Sequence, residues 1–115
     1  MTVQEFYRVI GSEYEDAARR LGNEAIIRKF VIKFSSDPSF KDLESAFRQG
    51  NAEKAFYAAH TLKGVAVNLG FDALYKQTCE LTEKLRGKTF DDTETLFANV
   101  QREYGRVIEN LQSLE

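Results

Sequence analysis

An all-α fold, built as an antiparallel up-and-down four-helix bundle with short N-terminal capping helices, is what this chain of 115 residues predicts. Three observations carry that prediction. Apolar residues recur at steps of three and four, while the strict apolar–polar alternation of a half-buried strand is missing nearly everywhere. Pro38 is the only proline, so almost nothing forbids long helices. The glycines fall mostly where one periodic run stops and the next begins. The length suits a single domain over residues 1–115 with one modest core, and not two.

Element by element, Thr2 caps a short first helix that ends near Gly11, and Ser12 to Arg20 reads as a second short helix stopped by Gly22. Asn23 caps a longer third helix with Ile27, Phe30, Val31 and Phe34 on its inner side. Asp37 and Pro38 break it, because the residue before a proline avoids the helical region. Ser39 opens the fourth helix, Leu43 and Phe47 give it a core face, and Gly50 closes it. Asn51 caps the fifth, which runs to about Asn68 and ends at Gly70. Asp72 starts the sixth, with Leu74, Thr78, Leu81 and Leu85 at helical spacing and Gly87 as its stop. Asp92 caps the last, whose Phe97, Val100, Tyr104, Val107, Leu111 and Leu114 repeat by three and four as a bundle seam does.

Composition narrows the partners. A net charge of −2 lacks the positive excess that nucleic acid requires. No apolar run approaches the roughly 20 residues that span a bilayer, and the opening MTVQEFYRVIG is not a secretory signal. Cys79 has no second thiol to pair with and reads as a small buried residue of the sixth helix. A cytoplasmic protein is expected. His60 is the only histidine, so imidazole chemistry has one address.

That address lies on the fifth helix, AEKAFYAAHTLKGVAVNLG. With His60 at zero and about 100° per residue, Leu69, Leu62, Ala55 and Ala66 fall between about 180° and 240°. They form one apolar stripe, and His60 stands almost opposite its centre. A solitary histidine is more often a satisfied core residue, but this geometry predicts an accessible one. Beside it on the outer face stand Val67, Phe56 and Tyr57, with Glu53 and Lys63 as the charged members. An apolar fringe around an exposed histidine is the composition of a docking patch. Gly64 lies one turn on, where a glycine costs about 1 kcal/mol relative to alanine and no core packing demands it. The missing bulk leaves room for a partner to approach the ring. Lys63, one turn away on the other flank, is placed to reach a phosphate carried on the imidazole.

His60-Thr61-Leu62-Lys63-Gly64, followed by Asn68-Leu69-Gly70, closely resembles the signature of histidine-containing phosphotransfer (HPt) domains. The resemblance covers the whole chain in outline, with the signature in the second of four main helices. It implies His60 as phosphoacceptor, Lys63 as the basic group near the phosphoryl oxygens, and Gly64 as the clearance position. Many members hold the imidazole with a glutamine or glutamate from the following helix. The aligned position here is Thr82, so Thr82 or the nearby Thr78 is the candidate for orienting the ring through a hydroxyl.

The resemblance implies a phosphoryl carrier rather than a kinase. The expected partners are receiver domains of response regulators or hybrid histidine kinases, the chain acting as a monomer that binds neither nucleic acid nor membrane. No glycine loop for nucleotide phosphates, no cofactor and no metal site are legible in the chain; any metal ion would belong to the receiver. Two other readings stay open on the residues alone. One is the phosphoacceptor domain of a chemotaxis-type histidine kinase. The other is a non-catalytic helical adaptor that binds through Phe56, Tyr57 and Val67.

Overall fold

The computed structural model describes residues 1–114, and every regular element among them is helical. Helix α1 (Val3–Val9) begins with a reciprocal cap: Thr2 Oγ1 accepts from the Glu5 N–H, and the Glu5 carboxylate accepts from the Thr2 N–H. Helix α2 spans Tyr14–Leu21, and α3 (Glu24–Lys33) is capped by the Asn23 side chain, which accepts from the Ile26 N–H. A single 3-10 turn, Phe34–Ser36, leads to Pro38 and then to α4 (Ser39–Gln49). Helix α5 (Ala52–Leu69) is capped by Asn51 and ends at Gly70, whose φ of +75° is a left-handed conformation that glycine adopts without strain. Helices α6 (Asp72–Leu85) and α7 (Glu94–Leu111) complete the chain.

Packing follows chain order: α4 lies against α5, α5 against α6, and α6 against α7. Aromatic pairs bring α7 back to α4. Phe40 stacks on Tyr104 with centroids 3.9 Å apart, and Phe47 stacks on Phe97 at 4.0 Å. Going from 40 to 47 along α4 matches going from 104 to 97 along α7, so these two helices run antiparallel. Leu43, Ala55, Ala59, Leu62, Ala66, Leu81, Leu85 and Val100 are fully enclosed between the four.

The N-terminal helices close over the turn between α5 and α6. Phe71, in that turn, meets the rings of Phe6, Tyr7 and Phe34 at centroid distances of 5.2 to 5.9 Å. The Tyr7 hydroxyl donates to the Leu69 carbonyl at 2.6 Å, which ties α1 to the end of α5. Burial pushes the Tyr7 phenol well above its ordinary range, since the phenolate has no water to solvate it.

Five details depart from the sequence expectations, one being that Cys79, expected to be buried, is only half-buried on α6. Ser12 does not open the second helix; its hydroxyl instead accepts from the Asp72 N–H at 3.0 Å, across the fold at the start of α6. Phe30, expected on the inner side of α3, is 40% exposed, because α3 has only its Ile27 and Val31 side covered. Asp92 adopts φ +57° in the loop before α7, and Thr93 takes the cap position with its hydroxyl donated back to the Phe90 carbonyl. After α6 it is Lys88, not Gly87, that enters the left-handed region, with φ +61°.

Candidate functional site

Helix α5 presents its alanine and leucine stripe to the interior, and His60 is carried to the opposite side. His60 is exposed. Its ring lies 6.2 Å from that of Phe56, one turn earlier, with the two planes within 23° of each other. Phe56 is half-buried, and its ring also meets Tyr57 edge-on at 5.4 Å. Tyr57 is 57% exposed and Val67 40%, so these two stand in solvent, whereas Phe56 leans partly against the core. Glu53 is exposed in the first turn of the same helix.

Lys63 is half-buried on the flank of α5 that faces α6, close enough to Glu83 to help hold that carboxylate in its charged form. A Cβ built on Gly64 meets nothing within 4 Å, so the notch beside His60 is open space. It continues into a shallow groove lined by Phe30, Pro38, Thr61, Val65 and Asn68. Thr61 does not reach into the groove as a free hydroxyl, because it donates to the Tyr57 carbonyl one turn back.

The two threonines of α6 sit elsewhere. Thr78 and Thr82 are fully buried, and their hydroxyls donate to the carbonyls of Leu74 and Thr78, each at 2.7 Å. Both protons are committed within their own helix. Among the described residues no side chain hydrogen-bonds the His60 imidazole, and the contact it does make is the Phe56 ring.

Glu83 of α6 and Arg86, the residue that ends it, were absent from the sequence reading and border the site. Arg86 lies over the Phe56 ring with its guanidinium carbon 5.2 Å from the centroid. It is paired at 2.7 Å with Glu83, whose carboxyl is held below its usual range by the Arg86 hydrogen bond, with Lys63 adding to the effect. The Glu83-x-x-Arg86 spacing marks a helix-surface pair in the sequence. Nothing local in it says that the pair lies against α5.

An accessible imidazole, an open notch one turn on and a basic side chain on the flank form an arrangement suited to holding a phosphoryl group at a protein surface. The family model described as "Hpt domain" matches residues 33–114, well over half the chain. The chain belongs to the Hpt domain family. Searches of curated proteins and of solved structures returned no significant match.

Hpt domains are phosphocarriers of histidine phosphotransfer in phosphorelays, where they interact with receiver domains. The matched span of this Hpt chain takes in α4 to α7 and the surface around His60 except Phe30. Helices α1 and α2, and nearly all of α3, precede it. Among the described residues no helix is long and apolar enough to cross a membrane.

Proposed function

We propose that this Hpt domain accepts a phosphoryl group on His60 from the aspartyl phosphate of one receiver and passes it to another. In this reading residues 1–115 form one domain, a monomer in the cytoplasm, with α4–α7 as an antiparallel up-and-down bundle and α1–α3 as its cap. The observation that carries the proposal is an exposed imidazole on the outer side of α5 beside an open glycine notch.

The chemistry is an exchange of one bond for another. The unprotonated imidazole nitrogen attacks phosphorus, an N–P bond forms, the acyl O–P bond breaks, and the receiver's carboxylate is the leaving group. The ring proton stays on the other nitrogen or passes to water. Lys63 supplies positive charge near the phosphoryl oxygens, and Gly64 lets the receiver close on the ring. Tyr57, Val67 and the exposed edge of Phe56 form the apolar part of the docking patch, with Glu53 at its rim. The reverse attack, by a second receiver's aspartate, restores the free histidine.

The test is to incubate the chain with a panel of phosphorylated receivers, including those encoded beside it, and to look for an acid-labile, alkali-stable phosphate. The expected label sits on His60 and is lost in His60→Gln. Equal labelling of His60→Gln, or no transfer from any receiver of the panel, overturns the proposal.

A further inference from the structure

A surface imidazole on a helix is free to turn about two side-chain bonds, and a nucleophile must present one nitrogen in one direction. The threonine hydroxyls of α6 have given their protons to their own backbone, and no other described side chain hydrogen-bonds the ring. What the ring does meet is Phe56, nearly parallel and one helical turn away.

Phe56 has two further neighbours. Tyr57 packs against it edge-on, and the guanidinium of Arg86, the C-cap residue of α6, lies over it and is paired with Glu83. The near-parallel Phe56 ring, 6.2 Å away and within the range of offset aromatic pairs, biases the rotation of the imidazole from one side, while both nitrogens, which lie on the ring edge, stay open. A π face beside the ring also favours the cationic imidazolium that forms as the phosphoryl group arrives. We propose that Phe56, braced by Arg86, is the positioning residue of His60, and that ring stacking supplies the orientation given elsewhere by a hydrogen bond.

This inference rests on His60 being the phosphoacceptor, and the test keeps the two apart. Phosphoramidate is a small donor that needs no docking patch. Its N–P bond breaks as the His60 N–P bond forms, and ammonia leaves. Its labelling rate therefore reports the readiness of the imidazole alone. With the full chain, Phe56→Leu keeps an apolar side chain of similar bulk and removes the π face.

The expected result is a labelling rate about tenfold lower, with the His60 ring-proton NMR resonances moving toward the positions of an unstacked histidine. Phe56→Tyr should restore both, and Arg86→Gln should slow labelling about threefold without unfolding the chain. A Phe56→Leu variant that labels at the wild-type rate, or unmoved His60 resonances, overturns the positioning role. Label appearing equally on His60→Gln overturns instead the phosphoacceptor reading beneath it.

Discussion

A glycine inside an 18-residue helix costs about 1 kcal/mol relative to alanine, through backbone entropy alone. At Gly64 the fold gets nothing back for that cost, because a Cβ there would meet no neighbour within 4 Å. Stability and transfer should therefore move in opposite directions at this one position. Gly64→Ala is expected to raise the unfolding free energy by about 0.5–1 kcal/mol in a urea titration. Gly64→Gln should leave the far-ultraviolet circular dichroism unchanged while slowing transfer from a phosphorylated receiver at least tenfold. Labelling by phosphoramidate, which is small enough to enter past the longer side chain, should fall much less. If both donors slow equally, the notch serves something other than clearance. Lys63 makes a complementary case, since its charge matters only once a phosphate is present. Lys63→Ala should leave the melting temperature within about 2 °C, as expected for a surface charge, yet shorten the lifetime of the phosphorylated form at neutral pH.

Between elements, α2 and α3 also touch the site helix, and a hydrogen bond that joins α1 to it is the Tyr7 hydroxyl on the Leu69 carbonyl. Removing the hydroxyl orphans a buried acceptor, so Tyr7→Phe is expected to cost about 1–3 kcal/mol. The same group sets an alkaline limit. Its phenol titrates higher in the folded chain than the ordinary value of 10.0, so the folded state holds the proton where the unfolded state has released it. Its contribution is thus fully present below pH 10 and declines as pH rises beyond it. A denaturation series between pH 8 and 11 should show stability falling above about pH 10 in the wild type and a shallower fall in Tyr7→Phe. Parallel curves would mean that other tyrosines carry the alkaline transition. This scale also shows where local sequence signals misled. Ser12 looks like a helix start because serine caps helices, and it does offer its oxygen at a helix start, that of α6 sixty residues away. Asp92 has the right chemistry for a cap, yet the loop turns through it in a left-handed conformation and leaves Thr93 at the helix end.

At the scale of the whole molecule, what could be read from sequence was what depends on a single helix. The exposure of His60 follows from its angle to the α5 stripe, and the open side of Gly64 follows from the same wheel. Phe30 and Arg86 were not legible in this way. Whether Phe30 is covered depends on which helix lies over α3, and whether Arg86 reaches Phe56 depends on the register of α6 against α5. The same non-local logic governs the part of the chain outside residues 33–114, which the family match leaves out. Helices α1 to α3 supply Phe6 and Tyr7 against Phe71, and Tyr7 against the Leu69 carbonyl. Uncovering Phe71 costs about 1.5–3 kcal/mol, and the orphaned carbonyl costs about 1–3 kcal/mol more. The total, about 2.5–6 kcal/mol, is a large share of the roughly 5–15 kcal/mol that holds a whole domain folded. A fragment of residues 33–115 should therefore lose its cooperative thermal transition or melt tens of degrees lower. Its phosphoramidate labelling should fall in proportion to the folded fraction, even though every residue of the His60 surface except Phe30 is retained. A fragment that melts cooperatively within about 5 °C of the full chain would show that the N-terminal helices only decorate a self-sufficient domain.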